Sequence, residues 1–472
     1  MIKDDRIYQV LLRHDFDLFR GNKEISEYLR EHLDKYYNDI SIAAKTDNSF
    51  LGGTFTNLIE GKLETLRDFC TTIPEVLTAY ENGYIKDAYV KSAKLFDQIK
   101  PYFLFCNSSS NTGGKYYRIR SGDYRIKEVS ESKAKKAELF HIKKPLRSRI
   151  GAYRYSVPGY PCLYLASDIE LAWFECGMPK QFSYCQMNIM QGDASALKLV
   201  DISHRPVEFL SGFTTYLLNA RRRGKSEDEL RRIYDVLINY ILTYPLASAC
   251  SVKVKNRSEQ FVEEYIFPQL FMSWIRESED IDGIQYKSSL YSTLVQGIGA
   301  VNLALPVKTF REDGLDEKLS AKIEVSDIGF FDVSDQFKQY KCVLHEIDEF
   351  KNSLQTFIVE SPYVGSYVLE LIDLCEYIKR TYNALIEGDY SNGELTFTSI
   401  DRLSDYANLL YKCKEIKIEE YIREFSCDET HKSNLPIIDE QFEKFHMLTG
   451  KILRKHVAFG FNFENLSNFE TI

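Results

Sequence analysis

Six short runs rich in β-forming residues stand in the middle of the chain, with stretches of helical hydrophobic spacing between and around them. The runs are KYYRIR (115–120), PCLYLAS (161–167), SYCQMNIM (183–190), ALKLVDIS (196–203), DGIQYKSS (282–289) and NLALPV (302–307). The helical stretches between them are 168–176, 206–223, 227–245 and 258–276. Strands and helices mixed in this way predict an α/β or α+β unit, and we take α+β as the fold class.

The two ends of the chain have a different pattern from the centre. Ile25, Leu29 and Leu33 recur at the spacing of one helix face, and a helical period returns from about residue 340. The small polar run at 106–114 predicts a linker. We therefore expect three domains. They are a helical accessory domain at 1–105, a central domain of mixed strands and helices at 110–335 and a helical C-terminal domain at 340–472.

The overall composition is that of a soluble globular protein. Of 472 residues, 44% are hydrophobic, and the net charge of −9 argues against nucleic-acid binding through the overall field. The N-terminus lacks the apolar core of a signal peptide, and no stretch reaches the roughly 20 apolar residues that span a bilayer. The ten cysteines form no CxxC pair. We expect a cytoplasmic protein with no membrane segment, no metal and mostly free thiols.

A strand, a turn and a helix follow one another between residues 161 and 177. Ser167 and Glu170 have the S-x-x-E form of a capping box, and Gly177 is a natural residue to follow a helix end. This predicts a helix over 168–176, with Glu175 in its last turn. Tyr164 lies in the preceding strand, so such a unit can aim both side chains into one crevice. A carboxylate on a semi-buried helix face costs desolvation unless something binds it.

Two other segments offer side chains that bind phosphate. Arg154 and Tyr155 stand in the turn RYSVPG, and a guanidinium binds phosphate through two parallel hydrogen bonds. In the strand YYRIR, Arg118 and Arg120 point to the same face, so the pattern alone does not choose between them.

A basic run at 133–149 contains His141 and seven Lys or Arg residues. This run is interpreted either as a solvated loop or as a basic rim of the cleft that attracts an anionic dinucleotide. In the second interpretation His141 lines the cleft. A weaker alternative is nucleic-acid binding through this run, which salt-dependent binding would reveal.

In their order along the chain, these elements resemble the RES domain, a bacterial family named for Arg, Glu and Ser. The order is YYRIR, then RYSxPGxPxLYLA, then ELAxxE, then DGIxYxSS. The resemblance covers about residues 110–310, and the block from the RYS turn to the glutamate is its most specific part. RES proteins are toxins of toxin–antitoxin pairs that act on NAD⁺, and their fold is similar to that of the ADP-ribosyltransferases. The resemblance implies the same fold for the central domain of this chain.

The resemblance also assigns roles to individual residues. The family arginine falls on Arg118, the tyrosine on Tyr164 and the glutamate on Glu175. Arg154 and Tyr155 are then expected to bind substrate. The serine of the family falls on one of two neighbours in DGIxYxSS, Ser288 or Ser289.

One further segment bears on the serine. In some smaller members of the family the serine lies in a helix before a glutamine. Here that segment reads EYIFPQLF, with Ile266 in the serine's place and Gln269 kept as a substrate-binding candidate. This departure leaves the position of the serine open.

These roles predict an NAD⁺-degrading toxin or defence effector that cleaves the nicotinamide–ribose bond by hydrolysis or phosphorolysis. NAD⁺ is then a consumed substrate, and no resident cofactor is expected. The partners implied are an antitoxin or regulatory protein and a second copy of the chain. Two alternatives stay open, a protein ADP-ribosyltransferase and a non-catalytic module that senses a nucleotide. A dehydrogenase is disfavoured because no GxGxxG motif follows a strand.

Overall fold

A computed structural model gives the fold. The structure describes residues 5–46 without 15 and 17, 50–107, 114–125, 138–190 without 178 and 180, 196–255, 259, 261–288, 301–332 and 340–360, with single residues and short runs between 371 and 447. Ser289, the N-terminal half of the basic run and most of the predicted C-terminal domain lie outside these residues. The three domain boundaries stay predictions.

The described chain contains both helices and strands, as the α+β class predicts. The helices are α1 (Arg6–Arg13), α2 (Ile25–Ala44), α3 (Gly53–Glu60), α4 (Leu63–Glu81), α5 (Ile85–Ile99), α6 (Ile169–Glu175), α7 (Pro206–Arg222), α8 (Glu227–Ala249), α9 (Ile266–Glu277), α10 (Glu317–Lys322) and α11 (Tyr340–Glu360). The strands are β1 (Phe105–Asn107), β2 (Lys115–Ser121), β3 (Cys162–Ala166), β4 (Gln181–Ile189), β5 (Lys198–Asp201), β6 (Gly283–Tyr286), β7 (Asn302–Pro306), β8 (Ile323–Val325) and β9 (Gly329–Asp332).

These strands form one mixed sheet in the order β1-β5-β6-β7-β3-β2-β4-β8, with β9 also paired to β4. β5 and β6 run parallel, and the other pairs are antiparallel. Each of the six predicted β-rich runs overlaps one of these strands. The order brings β2, β3 and β7 side by side, although β7 lies far from β2 in sequence. Of the predicted catalytic residues, Arg118 and Tyr164 therefore lie on adjacent strands and Glu175 on α6, whereas Ser288 follows β6.

The N-terminal helices share their core with the helices that pack on the sheet. Leu29 and Leu33 of α2 belong to the same cluster of buried side chains as Leu237 of α8 and Phe271 of α9. The Tyr36 hydroxyl donates a hydrogen bond to the carbonyl of Ile241 in α8, at 3.0 Å. Apolar side chains from both parts are thus removed from water together, which links the stability of the two parts.

The ends of α6 confirm one local prediction and correct another. Gly177 has a φ of +79°, the left-handed conformation expected of a glycine after a helix. The N-terminal cap, however, is Asp168, whose carboxylate accepts from the backbone N–H of Leu171 at 2.7 Å. Ser167 does not cap the helix, because its hydroxyl accepts instead from the N–H of Val301 at 3.0 Å.

The predicted linker at 106–114 also needs correction at its start. Cys106 and Asn107 are part of β1, which pairs with β5. The strand is only three residues long, too short to show a period of two, so the polar composition of the segment dominated the sequence pattern.

Candidate catalytic cavity

A cavity of about 840 Å³ opens between the sheet, α6 and the segment that follows α8. Its sheet side carries the side chains of Arg118, Tyr164, Glu175 and Asn302. Its outer wall is formed by the described residues of 250–265, of which Glu259, Val262 and Tyr265 line the cavity. The size falls within the roughly 300–1,000 Å³ usual for small-molecule and cofactor sites. Five of the sequence-predicted residues line this cavity: Arg118, Arg154, Tyr164, Glu175 and Ser288.

Glu175 is held in place by an amide from a distant strand. The side-chain N–H of Asn302, the first residue of β7, donates to its carboxylate at 2.8 Å. Asn302 is 3% exposed and pairs with Ala166 in the sheet, so its amide has a fixed position. A carboxylate in the last turn of a helix also opposes the helix dipole. Glu175 therefore occupies an electrostatically costly position that helix formation does not require.

Arg118 lies in β2 opposite Cys185 of β4. One terminal N–H of its guanidinium donates to the carbonyl of Tyr164 at 2.8 Å. Its Nε is buried and has no hydrogen-bond partner in the described part of the chain. Burial, followed by the neighbouring cation Arg120, lowers the pKa of Arg118 to about 10. The group remains charged at neutral pH, so an oriented cationic donor faces the cavity from the sheet.

Arg120 also lines the cavity, as the period of two in β2 requires. One of its terminal N–H groups donates to the carbonyl of Phe140 at 3.1 Å. Both arginines of YYRIR therefore face the cavity, and each gives one N–H to a backbone carbonyl.

The hydroxyl of Tyr164 is the centre of a small polar cluster. It lies 2.9 Å from the hydroxyl of Ser156 and accepts from the backbone N–H of Tyr155 at 3.1 Å. Burial raises the pKa of Tyr164 well above its ordinary value, so the phenol stays protonated. Tyr164 thereby fixes the RYSVPG turn against the strand, while its own side chain remains part of the cavity lining.

Arg154 lines the cavity, but its terminal N–H groups are used within the protein. They donate to the carbonyls of Cys250 and Val252 at 2.9 and 3.0 Å. Its guanidinium also lies 5.4 Å from the centre of the Tyr265 ring. Arg154 thus fastens the turn to the outer wall. Its predicted contact with substrate stays a prediction.

Three other predicted binding residues lie beside the cavity and are not among the described residues that line it. Tyr155 is buried, with its ring 4.7 Å from that of Tyr286. Gln269 donates to the carbonyls of Tyr153 and Ser156 at 2.9 and 3.2 Å. Both therefore contact residues that line the cavity, Tyr155 through Tyr286 and Gln269 through Tyr153 and Ser156.

His141 is the third of these residues. It is 1% exposed, its Nδ1 lies 3.0 Å from the carbonyl of Ile142, and its Nε2 accepts from the N–H of Asp316 at 2.8 Å. Burial lowers its pKa. This buried, neutral histidine joins two loops. In the same run, Lys144, Arg147 and Arg149 are exposed on a short 3₁₀ helix.

The serine of the predicted site is described only in part. Ser288 lines the cavity and is 3% exposed, whereas Ser289 lies outside the described residues. Sequence reasoning missed Asn302, Ser156 and the outer wall. The signal that could have revealed Asn302 is its position, since a polar side chain at the head of the otherwise apolar run NLALP needs a buried partner.

The cavity thus combines a partly buried carboxylate, an arginine with a buried unpaired donor and aromatic side chains, a combination of polar and apolar groups found in small-molecule sites. The family model described as RES domain matches residues 123–306. The chain therefore contains a RES domain, as the sequence resemblance predicts. Tyr164, Glu175, Ser288 and Asn302 lie inside the match, and Arg118 lies just before it.

One curated relative belongs to Bacillus subtilis (strain 168) and carries the name "Putative toxin YopC". It is 27% identical over 276 residues, which cover 56% of this chain and 59% of the relative. The match thus spans about three fifths of the relative's length. No solved structure matches the chain.

Two negative findings apply to the described residues alone. No group of three or more His, Cys, Asp or Glu side chains there could hold a metal ion. None of the helices in that part of the chain is long and apolar enough to span a membrane.

Proposed function

We propose that this protein is a toxin-like enzyme that cleaves the nicotinamide–ribose bond of NAD⁺. The observation that carries the proposal is the pairing of Glu175 with Asn302 in the cavity that also contains Arg118. The RES match supports an NAD⁺-related activity for the cavity. The name of the curated relative supports a toxic role.

Cleavage builds positive charge on the ribose, since the C–N bond breaks with its electron pair leaving on neutral nicotinamide. An ionised carboxylate beside the ribose stabilises this charge. A positioned charge of this kind is worth on the order of 10²–10³ in rate. In our proposal Glu175 supplies it, and the hydrogen bond from Asn302 fixes the carboxylate oxygen before substrate arrives. The preset position avoids reorganisation during the reaction.

The acceptor then bonds to the ribose carbon. With water, the products are nicotinamide, ADP-ribose and one proton. With inorganic phosphate, they are nicotinamide and the 1-phosphate of ADP-ribose. Both reactions need the same departure of nicotinamide, so the same carboxylate serves either acceptor.

Arg118 is the candidate for the pyrophosphate of NAD⁺. A guanidinium with a spare, oriented N–H binds a phosphate oxygen more strongly than a neutral donor does. The buried Nε of Arg118 meets this description, and Arg120 adds a second positive charge. Tyr164 contributes its ring to the lining while its hydroxyl contacts Ser156. Ser288 is the candidate for a ribose hydroxyl.

The deciding experiment incubates the purified full chain with NAD⁺ labelled in the adenylate half, with and without phosphate and a protein extract. Free ADP-ribose supports hydrolysis, and its 1-phosphate supports phosphorolysis. Label on protein would instead support ADP-ribosyl transfer. Recovery of intact NAD⁺ after binding would overturn the proposal in favour of a nucleotide-sensing module.

The toxic role has its own test. Expression of the chain in bacteria is expected to lower cellular NAD⁺ before growth stops. A neutralising antitoxin or regulatory protein would be expected to restore both. Growth arrest at unchanged NAD⁺ would separate the toxicity from the proposed reaction.

A further inference from the structure

The outer wall of the cavity is attached to the N-terminal part of the chain by a buried ion pair. The Nε of Arg20, in the loop before α2, donates to the carboxylate of Glu264 at 2.6 Å. The side chains of Arg20 and Glu264 are 7% and 1% exposed. The Nη1 atom of the same guanidinium donates to the carbonyl of Lys23 at 2.6 Å and forms an ion pair with the Glu263 carboxylate at 3.0 Å. Arg20 and Glu264 are 244 residues apart in sequence.

Two backbone contacts extend this attachment along the wall. The N–H of Lys253 donates to the carbonyl of Leu18 at 2.8 Å. The same Glu264 oxygen that binds Arg20 also accepts from the backbone N–H of Lys255 at 3.2 Å. The loop of residues 18–20 thus contacts the outer wall on both sides of residue 259, at Lys253 and at Glu264.

The wall so held carries cavity-lining side chains. Both Tyr265, directly after Glu264, and Val262, two residues before Glu264, line the cavity. The carbonyls of Cys250 and Val252, at the start of the wall, are those that hold Arg154. A shift of this segment would therefore move one side of the cavity and the RYSVPG turn together.

From these contacts we infer that Arg20 is a positioning residue for the cavity, acting through Glu264 on the outer wall. The N-terminal part of the chain is then a structural component of the site. The effect on NAD⁺ rests on the proposed function, whereas the effect on the wall itself does not. Since Glu175 and Asn302 are on the sheet side, loss of Arg20 weakens contacts to the non-reacting part of the substrate.

The test compares Arg20→Met with Lys23→Met in the full chain. Lys23 is a matched control, because it is a cation in the same loop whose ion pair with Glu31 is solvent-exposed. For Arg20→Met we expect KM for NAD⁺ to rise roughly tenfold with kcat within about threefold, as for loss of uniform binding. Lys23→Met is expected to match the wild type, and Arg20→Lys to recover part of the change.

A second readout does not depend on catalysis. In hydrogen exchange, Arg20→Met is expected to lose protection at the hydrogen-bonded amides of Lys253, Lys255 and Tyr265, while α4 keeps its protection. If NAD⁺ stays intact even with the wild type, the proposed function fails and the exchange pattern alone decides the inference.

Two results would overturn the inference. One is unchanged exchange in the wall together with an unchanged KM. The other is an equal loss of protection in all helices with unchanged KM, which would mean that Arg20 contributes only to global stability. If Arg20→Met does not fold, the double variant Arg20→Met/Glu264→Gln removes the buried carboxylate charge as well. It is expected to fold and to show the same rise in KM.

Discussion

The two sides of the cavity use arginine in opposite ways. On the sheet side, Arg118 gives one N–H to a carbonyl and keeps a buried Nε without a partner in the described chain. At the outer wall, Arg154 gives its terminal N–H groups to two carbonyls, and Arg20 gives its own to protein acceptors. A buried donor is costly unless it is paired. In the proposed function the unpaired donor of Arg118 contacts the ligand, whereas the paired donors of Arg154 and Arg20 stabilise the fold.

The same contrast applies to the carboxylates. One oxygen of the Glu264 carboxylate accepts hydrogen bonds from both Arg20 and the backbone N–H of Lys255. Glu175 lines the cavity and receives a neutral amide from Asn302. A neutral amide orients a carboxylate without cancelling its charge. The comparison predicts large catalytic effects on the sheet side and mainly structural effects at the wall.

The largest effect is expected for Glu175→Gln, which preserves shape and removes the charge. We predict that the rate of NAD⁺ loss falls by at least about 100-fold, because the stabilising charge is lost. The thermal midpoint should stay near that of the wild type. Glu64→Gln, on an exposed position of α4, is the control. Unchanged turnover in Glu175→Gln would remove this residue from the mechanism.

The next effect separates the two arginines. Arg118→Met is expected to lower kcat/KM about 100-fold because the proposed phosphate contact is lost, and to reduce stability little because a buried, unpaired donor is removed. Arg154→Met should instead lower the free energy of unfolding by about 2–4 kcal/mol, since two carbonyls lose charged donors. Urea unfolding and steady-state kinetics measure both quantities. Equal profiles for the two variants would break the comparison.

A smaller effect is expected for Asn302→Leu, a replacement of similar size that lacks the amide. The carboxylate of Glu175 loses its orienting donor, so we predict a fall in kcat of about tenfold. KM should change little, since the charge itself remains. A drop as large as that of Glu175→Gln would mean that Asn302 does more than orient the carboxylate.

The smallest effect concerns pH at His204, three residues after Asp201 at the end of β5. His204 lies 3.2 Å from Asp201, and this hydrogen bond raises the pKa of His204. The pair therefore stabilises the fold below about pH 6.5, the ordinary value for histidine, and this contribution is lost as the pH rises through the raised pKa.

The side chain of His204 is 42% exposed, so solvent screening keeps its effect small. We expect the thermal midpoint of His204→Gln to lie below that of the wild type by at most about 2 °C at pH 6, with the difference vanishing by pH 8.5. A difference that grows with rising pH would contradict the assignment.

Much of the local structure was predictable from the chain itself. The β-rich runs and the helix before Gly177 were readable because strand and helix periods are properties of neighbouring residues. The RES resemblance rested on the same local blocks, and the family match confirms it. The β1 strand was missed because three residues carry too little periodicity, and the cap of α6 because Ser167 found a distant partner in Val301.

The sequence by itself determined which residue types were available to the cavity and on which elements they lie. Only the tertiary structure decided which of them keep spare hydrogen-bonding groups. Asn302 donates a hydrogen bond to Glu175, 127 residues away in sequence, and Arg154 donates to carbonyls about 100 positions away. Such partners depend on the order of strands in the sheet and on the path of the segment after α8. No local period of the sequence encodes either, because both follow from how the whole chain buries its apolar surface.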